Sequence, residues 1–317
     1  MSKKNYMVVI ERLIKQCPIN ADYVSHRKEL QEYTQKYINE AYPLLKPETM
    51  INLLNNYISK ESITLVYPPL QAFLLYVELI RQLYFYIQEK YIRKTKDHKI
   101  VLIHTFIQYS LELLNGICSL LLGENHNSVI TIYRTFYENH IILSYLQKHQ
   151  DLIEAFIDHT KIDDCILNIE YAKMNNIEIP IETGRLYKSL ISKYGEDFKD
   201  DYGWTSSLIT DKSKRNLKTM FKELGLNNSF NYFYKCACKY SHSTSFSLMV
   251  RPDFKQIIGF LFKIAEITEN QITVLFSEIT IPSMKERALL VDWLGVSTDN
   301  MRKGIIDFFK EDNTTTK

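Results

Sequence analysis

The chain has 317 residues, 45% hydrophobic and 24% charged, which excludes a disordered or fibrous chain and suffices for one large domain or two ordinary ones. Lys and Arg number 39 against 37 Asp and Glu, and the formal charge of +2 argues against a generic nucleic-acid binder. Nine glycines and eight prolines are too few for the turns of a β-rich fold, so the composition points to long helices.

In chain order, Lys3–Gln16 reads as an amphipathic helix ended by Pro18, and Asp22–Glu40 as a second. Pro47 opens a third, to about Ser59, and Pro68-Pro69 starts a long apolar helix through Tyr91, since proline suits a first turn. The basic run Lys90, Arg93, Lys94, Lys96, Lys99 reads as a solvated linker. A helix from about Lys99 to Leu122 closes at Gly123-Glu124-Asn125. Asn125 or Asn127 caps the next, to about His149, and Asp151 with Glu154 forms a capping-box-like start for another, to about Met174. Turns this short force antiparallel neighbours, hence a bundle.

Between Asn175 and Asp211 the pattern loosens around Pro180, Gly184, Gly195 and Gly203, with one helix at Ile181–Lys193 and then a packing or functional loop. Helices resume at Asp211–Leu224, Asn228–His242 and Asp253–Leu275. Pro282 opens another to Leu294, and Ser297 caps a last one to Phe309. The fold expected is all-α: a multi-helix bundle with an N-terminal helical extension. Residues 1–98 form the extension, 99–310 the core bundle and 311–317 a polar tail, integrated as one domain.

Five cysteines, an odd number at scattered positions, do not make a disulfide framework and fit a reducing cytoplasm. No apolar leader follows Lys3 and Lys4, because Glu11, Arg12 and Lys15 interrupt it. Val101–Leu122 is the most membrane-like segment, but Glu112 would be costly in hydrocarbon, so no membrane is expected as a partner.

Ser128–Leu146 carries two largely apolar stripes and should be the most buried helix, with Tyr133, Phe136 and Ile141 in the core. Arg134 and Glu138, four residues apart, can pair across a turn. They read equally as a structural ion pair or as an anion site, with Arg134 the ligand and Glu138 its holder. His140 reads as a core histidine or a catalytic one. Six helical steps set it about 120° round from Arg134, so the two converge only at a frayed end or across a dimer. Later in the chain, Tyr234, Cys238 and His242 share a helical face, with His242 where a helix ends among Ser241, Ser243, Thr244 and Ser245. Cys236 and Cys238 with His242 lack the usual zinc spacing, and no Glu-x-x-His, Walker loop or His-Glu-x-x-His occurs, so neither a metal nor a cofactor is expected. His159 and Asp163 read as a surface pair.

Arg134-Thr-Phe-Tyr-Glu138, Tyr202-Gly-Trp204-Thr-Ser and Tyr240-Ser-His242-Ser occur in this order. Over about residues 101–275 the chain thereby resembles the bacterial domain-of-unknown-function family 5677. The resemblance implies a helical bundle in which Arg134, Glu138, Trp204 and His242 converge, without naming an activity. Separately, Arg134-x5-His140 is similar to the Arg-x4-6-His pattern of the HEPN family, which includes metal-independent RNases.

Three functions are therefore carried forward. The first is a HEPN-like, metal-independent endoribonuclease or toxin-type effector in phage defence. Its catalytic residues would be Arg134, His140 and His242, its binding residues Glu138, Trp204 and Tyr234, its substrate RNA and its state a homodimer. The second is a non-catalytic binding or scaffold module with a protein partner. The third is a sensor of an anionic small molecule held by Arg134.

Overall fold

The computed structural model describes residues 3–19, 26–42, 68–226, 230–242 and 249–315, and among them every regular element is helical. The chain is an all-α multi-helix protein. The helix expected after Pro47, Asn228, and Ser243, Thr244 and Ser245 lie outside the described residues. The chain divides into two compact units, residues 1–137 with 233–317 and residues 138–232. That division cuts through a helix.

The first unit is organised by α1 (Lys3–Gln16), α2 (Arg27–Ala41) and α3 (Pro68–Ile87). α4 (His98–Leu122) and the first part of α5 (His126–Lys148) follow. α9 (Lys235–Ser241), α10 (Phe254–Glu278) and α11 (Met284–Thr315) complete it. Pro68 and Pro69 start α3, and Phe73, Leu79, Ile80, Leu83 and Ile87 are fully buried along it. It, rather than Ser128–Leu146, is the most buried helix, because α1, α4, α10 and α11 all pack on it. Trp293 of α11 is fully buried and donates its indole N–H to the carbonyl of Leu79 at 3.0 Å. Burying such a ring contributes about 3 kcal/mol, and the hydrogen bond prevents a desolvation penalty.

α11 runs unbroken through Ser297, where the sequence suggested a cap, and on to Thr315 through most of the expected tail. The Ser297 hydroxyl donates back to the carbonyl of Trp293 at 2.6 Å, and Thr298 to that of Leu294 at 3.1 Å. Inside a helix a hydroxyl is satisfied this way without capping anything.

A five-residue π-helix, Gln88–Ile92, extends α3. It places Lys90 and Tyr91 on Glu286 of α11, whose carboxylate also accepts from Tyr86 at 2.7 Å; the Lys90 contact is 2.7 Å. Burial pushes Glu286 up, but hydrogen bonds from Lys90, Tyr91 and Tyr86 outweigh it and hold the carboxyl below its ordinary range. Lys90 is thus not part of a solvated linker.

α4 is long and apolar enough to cross a membrane by length and composition. Ile103, Ile107 and Leu114 are buried in the unit, and His104 stacks on Tyr84 and hydrogen-bonds its hydroxyl. The turn into α5 puts Glu124, not Gly123, in the left-handed region at φ 53°, and Asn125 caps the next helix through Ser128 N–H.

The second unit holds the rest of α5, then α6 (Ile153–Met174), α7 (Ile181–Tyr194) and α8 (Leu217–Glu223). α6 starts from a 3-10 turn at Gln150–Leu152 rather than from an Asp151 cap. α6 and α7 form a hairpin. The loop region is a packing device. Arg215, nearly buried, donates to the carbonyls of Ile209 (2.9 Å) and Thr210 (3.3 Å) and reaches Asp197 at 3.3 Å. Gly203 approaches the backbone of Asp197 and Phe198 so closely that a Cβ would stand 2.6 Å from the Asp197 carbonyl oxygen. Asp158 accepts from Lys161 (2.7 Å), Lys193 (2.9 Å) and Tyr194 (2.8 Å). Burial raises its pKa, and these three bonds more than reverse that, to about 2. His159 is buried on the edge of Phe198, with Asp163 at 3.2 Å and the Asp200 carbonyl at 3.0 Å, so it is no surface pair.

Candidate functional site

Within the first unit, Arg134 and His242 come together. Arg134 lies midway along α5, half-buried, and His242 is the exposed C-cap of α9, in extended backbone at φ −103°, ψ 143°. The helix ends there, so the histidine ring is carried outward while its backbone leaves the helical path. Arg134 Nη1 stands 3.3 Å from His242 Nε2. A guanidinium has donors only, so Nε2 accepts and the ring proton sits on Nδ1. The Nε2 lone pair thus lies against a permanent positive charge.

Tyr234 forms the floor. Its nearly buried ring lies 5.8 Å from the Arg134 guanidinium carbon, a cation–π distance that holds the charged fork in plane. Tyr137 tilts against Tyr234 at 6.3 Å and stacks on Tyr133 at 5.6 Å, and Tyr133 meets Phe260 edge-on at 4.7 Å. The core positions Tyr133, Phe136 and Ile141 are fully buried. The apolar stripes place Tyr133 in the core, but their pattern carries no sign that it stacks on Tyr137 one turn on, beside Arg134.

The Tyr133 hydroxyl is buried and has no hydrogen-bond partner among the described residues. Burial, then neighbouring Tyr137, Glu266 and Cys236, raise its pKa far above the ordinary phenol. Burial also pushes the Cys236 thiol up, so it stays protonated and is a poor nucleophile or metal ligand. Among the described residues, no group of three His, Cys, Asp or Glu side chains gathers as a metal site would require.

The remaining candidates lie in the second unit. Glu138 opens it, one turn beyond Arg134 along α5 and half-buried. His140 is also half-buried, and α5 is regular helix through it, without the frayed end that convergence with Arg134 along one helix would need. Trp204 is 3% exposed and packs edge-on against Phe156 (5.1 Å) and Tyr145 (6.1 Å), a core placement within its unit.

Residues 99–255 match the model of a family of unknown function, DUF5677. That stretch belongs to the family. No curated protein and no solved structure matches the chain. The DUF5677 stretch contains Arg134, Tyr234 and His242 together, and the N-terminal helices and most of α10 and α11 lie outside it.

Proposed function

We propose that the DUF5677 stretch is a cytoplasmic, metal-independent endoribonuclease of the toxin or phage-defence type, with its chemistry at Arg134 and His242. The observation that carries this is the 3.3 Å contact between the Arg134 guanidinium and His242 Nε2. In this scheme a bound RNA phosphate draws the guanidinium off His242, and the freed Nε2 lone pair takes the proton of the 2′-hydroxyl. The 2′-oxygen attacks the adjacent phosphorus, the 5′-oxygen leaves with a proton from water, and a 2′,3′-cyclic phosphate remains. Arg134 stabilises the charge that develops on the phosphate, its guanidinium fork meeting the phosphate oxygens. Tyr234 keeps the guanidinium oriented throughout. His242, not His140, is the base in this assignment, because it is the histidine held on Arg134.

The test is cleavage of a fluorescent single-stranded RNA by purified full-length protein in EDTA. Wild type cleaves and leaves cyclic phosphate ends. Arg134→Ala and His242→Ala each reduce the rate by about 100-fold or more, the range of a general base or an oxyanion donor. His140→Ala leaves it nearly intact. Loss of activity in His140→Ala with activity kept in His242→Ala would overturn the assignment. The formal charge of only +2 favours, as second reading, a non-catalytic site for an anionic ligand or protein; RNA bound without any cleavage would select it.

A further inference from the structure

The second unit carries a run of exposed apolar side chains unlike anything else in it. Leu167, Tyr171 and Met174 follow one another at helical spacing along α6, on the side opposite the buried Cys165 and Ala172. Ile177, Ile179 and Ile181 continue from Met174 through the turn into α7. All six are between 40% and 75% exposed. At ~200 Å² for a fully exposed large apolar side chain they present about 750 Å², near the ~800 Å² per partner of a standard interface and above the largest patch of most monomers.

We propose that this face joins two copies of the chain, α6 against α6, antiparallel about a two-fold axis near the Leu167–Tyr171 turn. Charge sets the direction. Exposed Asp163, which also meets His159 at 3.2 Å, stands at the early end of the stripe and exposed Glu170 and Lys173 toward the late end, all on one flank. Antiparallel helices bring the same flank of each copy together, so Lys173 of one meets Asp163 of the other, twice by symmetry. Parallel helices would bring opposite flanks together and keep Asp163 and Lys173 about 15 Å apart along the axis. Leu167 then packs on Tyr171 across the axis, and the two α6–α7 hairpins close a four-helix arrangement. A lipid surface fits less well, because exposed Glu178 and Glu182 alternate with Ile177, Ile179 and Ile181 and oppose anionic headgroups.

The experiment is light scattering after gel filtration of the full chain, from ~1 to ~100 µM, the affinity range an interface of this size spans at its weak end. Wild type should run as a dimer. Leu167→Glu and Met174→Glu, both at exposed positions, should leave circular dichroism unchanged and weaken association by at least ~100-fold. Lys173→Glu should weaken it less, and adding Asp163→Lys should restore it. A wild type monomeric at every concentration, a dimer indifferent to both glutamates, or a monomer that binds phosphatidylcholine–phosphatidylglycerol vesicles would each overturn the proposal.

Discussion

Asp292 of α11 is 8% exposed, and its Oδ2 has no hydrogen-bond partner among the described residues. Burial raises its pKa to about 6, with Arg27 pulling in the opposite direction. The folded state thus holds a proton that the unfolded chain releases near 3.8, the ordinary value. Between those two values the native state binds more protons than the unfolded one, so stability falls as pH rises and levels off above about 6. At ~1.4 kcal/mol per decade the interval is worth about 3 kcal/mol, and partial water access lowers this to about 2 kcal/mol. Asp292→Asn mimics the protonated carboxyl and cannot ionise. Urea unfolding of variant and wild type should give similar stabilities at pH 4, whereas at pH 8 the variant should be more stable by about 2 kcal/mol. Comparing the two pH values for the same pair cancels every other titrating group and the new amide's own packing. Equal differences at pH 4 and pH 8 would refute the claim that this carboxylate is penalised by burial.

Two further substitutions probe packing. Tyr133→Phe removes a buried hydroxyl that has no partner among the described residues while keeping the ring against Tyr137 and Phe260, and should raise stability by about 1 kcal/mol in the same urea assay; a loss of that size would mean the hydroxyl is satisfied. Gly203→Ala drives a methyl into the Asp197 and Phe198 backbone and should destabilise by about 3 kcal/mol, read as a drop in melting temperature.

Much of the scaffold could be read from residue types. Pro68-Pro69 marks the start of α3, and Asp253 with Gln256 forms a full capping box at the start of α10. Such signals act through the nearest few backbone groups and need no tertiary knowledge. Ser297 misled because a hydroxyl serves a cap or a helix interior equally well, and only the burial of its neighbours decides. The basic run misled at Lys90 for a similar reason: a charge at the end of one helix found its carboxylate, Glu286, almost two hundred residues away. At the site, Arg134 and His242 were both legible as chemistry-bearing residues, but their meeting depends on where α9 stops. The pull of Arg-x5-His140 came from spacing alone, and regular helical geometry through α5 sets the two side chains about 120° apart. The family motif named Trp204 without saying that its ring lies in the core of its unit.

The first unit is assembled from two separated stretches of chain, and α3 waits for α11. On the ribosome, the carbonyl of Leu79 emerges long before the indole of Trp293 that will bond it. At ~5–20 residues per second the delay is on the order of tens of seconds. During that interval α3 has α1 and α4 to pack on but lacks the lid that α11 supplies. The intervening residues 138–232 are one continuous stretch that can fold while the earlier helices wait. Synthesis of this protein therefore has a built-in window of sticky exposure, closed only when its last long helix leaves the exit tunnel. Strains short of chaperone capacity should lose it to aggregation in that window, well before any finished molecule unfolds.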